Sequence, residues 1–320
     1  MVASWLHELD GRRVVVDVPA SSANLGAGYD CLGMALDLLN RVEVEVRGWS
    51  RDGVELSVEG EGADELPADR SNRFVRGLEA ALTEARGDGA EHIAWRIEMK
   101  NRIPLARGLG SSAAATVAGL VAGNALAGGA LANGDLLRLA TTIEGHPDNA
   151  AAALLGGLTA SVVTRGGVEA VRFEVPRGLR AILFIPELRL ETAEMRRVLP
   201  ESVPLADAVA NLGRVATGVA GLAAGRLDVL RWLTEDRLHE PYRAAVYPQL
   251  PRLVADARQA GAIGACLSGA GSTVVAFSDS LSAIAAIEGA FRAAAADTDL
   301  PGRIEVVAPR NAGAAVVASG

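Results

Sequence analysis

Pro104-Leu105-Ala106-Arg107-Gly108-Leu109-Gly110-Ser111-Ser112-Ala113-Ala114 is the stretch from which the fold is read. It follows Ile93–Lys100, a run with strand character, and leads into a segment where Val117, Leu120 and Val121 recur at helical spacing. A strand, a glycine loop and a helix in that order can hold an anion. Glycine lets the backbone take positive φ and approach a ligand closely. The first turn of a helix adds free N–H groups and the positive end of its dipole. Ser111 and Ser112 place hydroxyls there, within reach of a divalent cation. No lysine follows Gly110, so the loop is not a P-loop. Gly108-x-Gly110-x-x-Ala113 meets a loose dinucleotide-binding pattern, but that reading needs an acidic residue about 20 positions on, at a strand end. Asp135 opens a helix instead. A tight turn without a ligand is the plain alternative. Lys100, the only lysine, ends the strand feeding the loop and so would stand beside a phosphate site.

Composition narrows the classes. A chain of 320 residues suggests two domains at about 150 residues each. Half the residues are apolar and 22% are charged, which fits a globular core and excludes global disorder. Thirty-one basic against 39 acidic residues give a net charge of −8, and aromatics reach only 4%. A nucleic-acid binder would want a basic face and stacking rings. No charge occurs from Gly108 to Gly134, long enough for a span of roughly 20 residues. Yet this segment is mostly Ala and Gly with Ser, Thr and Asn interspersed, and it reads as a buried helix of a soluble protein, with no membrane partner. Cys31 and Cys266 are too few for a disulfide framework. Met1–Gly11 holds His7, Glu8 and Asp10 and no apolar run, so no secretory signal is read and a cytoplasmic location is expected. The four histidines form no helical pair, which argues against zinc.

Strands are read at Arg13–Val18, Arg41–Arg47 and Val54–Glu59, with Gly48–Gly53 as a hairpin connection between the last two. A helix follows over Ser71–Arg86, Ser71 being its N-cap, and another over Asp135–Glu144. Beyond Gly156-Gly157, strands are expected near Leu158–Thr164, Val168–Phe173 and Arg180–Ile185. Helices are expected over Leu205–Ala224, Leu227–Arg237 and Gln249–Ala260. A strand pair around Gly271, a helix Ser282–Ala295 and a strand Ile304–Ala308 complete the reading. Strict βα alternation is missing, so the class is α+β, divided into residues 1–170 and 171–320.

Three segments in order resemble the motifs of the GHMP small-molecule kinases. They are Pro19-Ala-Ser-Ser-Ala-Asn24-Leu-Gly26-Ala-Gly28-Tyr29-Asp30, the loop above, and Leu267-Ser268-Gly269-Ala270-Gly271-Ser272-Thr273. The resemblance implies a two-domain fold, with an N-terminal domain like domain 2 of ribosomal protein S5 and a ferredoxin-like C-terminal domain. The form of the first motif and Glu144-Gly145-His146-Pro147-Asp148-Asn149 are similar to the branch acting on L-homoserine. The implied reaction is ATP-dependent phosphorylation of the L-homoserine hydroxyl, a step toward threonine.

By the same resemblance Ser112 and Glu144 would hold Mg²⁺, which takes one or two protein oxygens when phosphates and water complete its shell. Asn24, Asp30, His146, Asn149, Arg196 and Arg243 would line the homoserine pocket. Asp30 suits the ammonium, and the two arginines suit the carboxylate. Asn72 resembles an adenine contact, and Lys100 a lysine near the phosphates. Asn149 would orient the hydroxyl without acting as a base, with Asp148 beside it as the alternative base. In the third motif, Gly269-Ala270-Gly271-Ser272 departs from the family's common Gly-Ser-Gly-Pro, which changes loop stiffness. A sibling alcohol kinase, a silent ligand sensor and an NAD(P) enzyme are the rival readings. The sequence leaves the oligomeric state open, with a homodimer as the default for a soluble metabolic enzyme.

Overall fold

The computed structural model describes residues 4–50 and 53–320. Met1–Ala3 of the expected leaderless start, and Arg51 and Asp52 of the expected hairpin connection, lie outside the described residues.

β1 (Arg13–Ala23) and β2 (Leu32–Trp49) form a long antiparallel pair. Both run further than the sequence suggested, so that β1 carries the first motif up to Ala23. β3 (Val54–Gly60) does not pair with β2. β4 (Ile93–Asn101) lies between them, antiparallel to β2 and parallel to β3. The expected β2–β3 hairpin is therefore wrong. Parallel neighbours need a crossover of helical size, and α1 (Arg73–Arg86) provides it between β3 and β4. The N-cap of α1 is Asn72, whose side chain accepts from Phe74 N at 2.9 Å. Ser71, the expected cap, is turned outward with its N–H held by Asp69.

α2 (Ser111–Leu126) is the uncharged segment, and it is buried because α1 lies almost on its backbone. A Cβ on Gly119 would enter the Phe74 carbonyl, and one on Gly77 the Thr116 carbonyl. No described helix is long and apolar enough to cross a membrane. α3 (Asn133–Glu144) and α4 (Asp148–Leu155) follow, then the hairpin of β5 (Leu158–Thr164) and β6 (Gly167–Phe173), which joins the start of β2.

The second sheet begins at β7 (Arg180–Pro186). After it come α5 (Thr192–Arg197), α6 (Leu205–Ala223), α7 (Leu230–Leu233), α8 (Glu240–Arg243) and α9 (Leu250–Gln259). β8 (Gly264–Leu267), β9 (Val274–Ser278), α10 (Leu281–Asp297) and β10 (Gly302–Val307) complete it. The order β10-β7-β9-β8, all antiparallel, with helices after its first and third strands, is ferredoxin-like, as the resemblance implied. One face joins the main core through Leu183 and Phe277, and the other packs Phe184 on Phe291.

The single helix expected over Leu227–Arg237 stops at Leu233, because Asp236 gives its carboxylate to the N–H groups of Leu238, His239 and Glu240 and so starts α8. The chain then returns to the first sheet. β11 (Ala315–Ser319) pairs with β1, a contact the sequence reading did not contain.

Candidate active site

The three motifs are stitched into one object by hydrogen bonds. Leu109 O accepts from Ser21 N at 3.1 Å, and Gly108 O accepts from Ser268 Oγ at 2.7 Å. Asn24 Nδ2 donates to Gly269 O at 2.9 Å, Gly269 N to Ala23 O at 3.1 Å, and Thr273 N to Arg107 O at 3.1 Å. Gly108 has φ +72°, and a Cβ there would enter the Ser268 carbonyl; Gly110 has φ +69°, with the Ser21 hydroxyl in the same place. Only glycine serves at these two positions. Arg107 lines the cleft and ties the loop to the end of β7, its guanidinium donating to Pro186 O and Glu187 O, both at 2.7 Å.

Gly110 caps α2, so Ser111, Ser112 and Ala113 present the first turn to a cleft of about 360 Å³. Pro104, Ala106 and Leu109 line the same cleft, while Ala114 is buried in the core. Ser112 Oγ donates to Glu144 Oε2 at 2.8 Å, and Thr116 Oγ1 to Glu144 Oε1 at 2.6 Å. Arg73 Nη1 stands 3.5 Å from the same carboxylate, whose side chain is 6% exposed. Thr116 and Arg73 were missed. The spacing of Thr116, one helical turn after Ser112, was the signal that could have found it.

Beside this cleft an apolar recess of about 410 Å³ is walled by Val18, Val42, Leu66, Met99, Leu105 and Ala115. Asn72 edges it, but both ends of its amide are engaged, at Phe74 N and Pro67 O. Lys100 is not in the site. Alternation along β4 turns Met99 and Asn101 inward and Lys100 outward, where it is 67% exposed and pairs with Glu59 at 3.9 Å. The expectation for Lys100 fails because its strand ends on the wrong face.

The far end of the cleft gathers the other residues. Asn24 and Asp30 have left-handed φ of +69° and +54°, and Asp30 N donates to Asn24 Oδ1 at 3.0 Å. Arg196 forks onto Asp30 at 2.7 and 2.9 Å and donates to the Tyr29 hydroxyl at 2.8 Å. The sequence alone puts Asp30 and Arg196 at opposite ends of a ligand; in the structure they neutralise each other. Arg243, 1% exposed, donates to Gly269 O at 2.9 Å and to His239 Nδ1 at 3.0 Å. Burial lowers its pKa and pushes that of His239 down to about 4. Ser21 Oγ donates to Asn149 Oδ1 at 2.9 Å, which leaves the Asn149 amide hydrogens for the cleft. Asp148 Oδ1 accepts from Asn149 N and meets His146 Nδ1, each at 2.8 Å, and the latter bond raises the His146 pKa. Gly269 and Ala270 line the cleft, with Ser268 buried behind them and Gly271 completing the turn. Both cysteines are free, with pKa raised by burial.

A helix start aimed at one end of a cleft and paired charges at the other can seat a polyphosphate against a small zwitterion. This fold and loop define a GHMP kinase. The profile of the GHMP kinases N terminal domain matches residues 72–157, and that of the GHMP kinases C terminal matches residues 220–297. The homoserine kinase of Moorella thermoacetica is 44% identical, over 82% of this chain and 86% of that protein. That of Corynebacterium aurimucosum is 46% identical, over 83% and 86%. The crystal structure of homoserine kinase from Cytophaga hutchinsonii covers 95% of this chain and 97% of its own, with a TM-score of 0.84 at 30% identity. L. major mevalonate kinase, at 16% identity and a TM-score of 0.67 over 94% and 98%, shares the fold. The chain belongs to the homoserine kinase family.

Proposed function

We propose that the chain transfers the γ-phosphoryl group of ATP to the side-chain hydroxyl of L-homoserine, giving O-phospho-L-homoserine in the cytoplasm as a step toward threonine. The carrying observation is that the Gly108–Ser112 helix start and the Asp30–Arg196–Arg243 cluster face one cleft. The names of the relatives support the same reading.

The apolar recess takes the adenine, edged by Asn72, and the first turn of α2 takes the β- and γ-phosphates. Ser112 and Glu144 form an all-oxygen donor pair at the cleft wall, a set that fits Mg²⁺. When bound, the ion withdraws charge from the phosphate oxygens. Homoserine enters by exchanging its charges with the resident pair, its ammonium turning to Asp30 and its carboxylate to Arg196 and Arg243. The exchange selects a zwitterion, because a ligand with one charge alone would break the fork and leave the other partner unpaired.

Asn149 donates its free amide hydrogens to the hydroxyl oxygen and aims it at phosphorus. The oxygen forms the new O–P bond as the bridge to ADP breaks, and the proton departs to the transferred phosphoryl or to water. Asp148 is not the base in this scheme: its side chain is only 3% exposed, and its Oδ1 is held by Asn149 N and His146. Phosphoryl transfer asks mainly for position and charge stabilisation.

The test is release of ADP from Mg·ATP with and without L-homoserine. Homoserine should raise the rate by at least about a hundredfold. Turnover of mevalonate or another alcohol in place of homoserine would overturn the reading.

A further inference from the structure

The cluster around Arg243 holds a side chain that the reaction scheme leaves unused. His239 is wholly buried, between the first motif and α8. Its Nε2 lies 2.9 Å from Gly26 O, and a carbonyl can only accept, so Nε2 carries the hydrogen. Its Nδ1 lies 3.0 Å from Arg243 Nη1, and a guanidinium can only donate, so Nδ1 is bare. The two neighbours fix one neutral tautomer. The backbone is held too, with His239 N on Asp236 Oδ2 at 2.7 Å and Arg243 N on His239 O at 3.0 Å. The ring also lies against Tyr29, centroids 5.2 Å apart.

Arg243 has five N–H hydrogens. Nη1 spends its two on His239 Nδ1 and Gly269 O, and Nε points at Met195 O at 3.4 Å. No described carboxylate lies within ion-pair distance of this guanidinium, although it is buried. Nη2 is left for the cleft that Arg243 lines.

We propose that His239 is a positioning residue for the substrate: its bare Nδ1 holds Nη1 of Arg243 so that Nη2 points at the substrate carboxylate. This rests on the reading of Arg243 as a carboxylate clamp. The imidazole suits the task because it accepts on one edge while donating to the first motif on the other. A carboxylate at this place would neutralise the guanidinium and compete with the ligand, and an apolar side chain would leave Nη1 short of an acceptor.

Two variants separate the edges of the ring. In His239→Asn the amide oxygen falls near the place of Nδ1 and still accepts from Arg243. In His239→Gln the amide reaches the place of Nε2, and the acceptor is lost. The expected result for His239→Gln is a homoserine KM raised by about tenfold or more, with the ATP KM within about twofold of the parent. His239→Asn should stay within about threefold. The efficiency toward 3-aminopropan-1-ol, which lacks the carboxylate, should be the same in parent and variants. Equal damage in both variants, or parallel loss for ATP or the amino alcohol, would overturn the proposal in favour of a merely structural role. A ¹⁵N spectrum of the parent serves even if neither variant folds. It should show His239 neutral with hydrogen on Nε2, and hydrogen on Nδ1 near pH 7 would overturn the proposal. A parent that ignores homoserine would sink the functional reading, while the spectrum still judges the His239–Arg243 bond.

Discussion

Asp148 serves two neighbours through one oxygen: it accepts from Asn149 N and holds His146. A side chain so engaged orients Asn149 and does not fetch a proton. Asp148→Asn should therefore lower kcat by less than about a hundredfold, and a loss beyond three decades, about 4 kcal/mol, would restore the base. The histidine gives the same substitution a pH signature. The folded His146 binds its proton more tightly than an ordinary histidine of pKa 6.5, so the pair stabilises the fold fully below that value and stops doing so as pH rises through the raised one. The variant should lose more stability at about pH 5.5 than at about pH 9, as followed by urea unfolding, and its His146 should titrate at lower pH. At this scale the sequence displayed the residues that lie inside motifs, such as Ser112, Glu144 and Asn149, since their neighbours mark them. Tyr29, Thr116 and His239 carry no such mark, because their partners lie far along the chain or on a helix face that only packing selects. Lys100 misled because nearness in sequence does not say which face of a strand a side chain takes.

Helices and strands were legible where they depended on their own pattern. α2, α3, β5 and α10 fall within a few residues of expectation, each with clear apolar periodicity or a glycine at its border. α4 and α8 escape a reading from sequence because they are short, eight and four residues, and α4 follows Gly145-His146-Pro147, which reads as a turn. The pairing of β3 was illegible for a different reason: a strand's own residues do not say whether its neighbour in the sheet is its neighbour in sequence. The contact of α1 with α2 shows what such pairing demands. Gly119 stands in a helix interior, where alanine would usually gain about 1 kcal/mol. Here a Cβ would enter the Phe74 carbonyl, a backbone atom that cannot swing aside. The clash wins. Gly119→Ala should lower unfolding free energy by about 1–3 kcal/mol and displace the start of α2, so that urea midpoint and ATP KM worsen together.

The whole molecule is two sheets sharing a core, with the three motifs meeting where they join. Leu183 and Phe277 of the second sheet lie in the same apolar cluster as Val16 and Val44 of the first. The division at 170/171 falls just ahead of Phe173, the last residue of β6, and it leaves out the return of β11 to β1. Removing residues 315–319 should lower the melting temperature, and homoserine turnover should fail with it in the same range, because β1 carries Ser21 and Ser22 behind the glycine loop. A truncated chain with an unchanged melt would show that the returning strand is ornamental. The return also bears on how the protein is made. A ribosome completes β6 roughly 140 residues before it reaches β11, an interval on the order of ten seconds at ordinary rates of synthesis. Through that interval the outer rim of β1 waits with its amide and carbonyl groups open to any passing strand. Until β11 has been made and docks, that rim can be drawn into a wrong partnership, so closure of the catalytic half waits on residues synthesised after the whole second sheet.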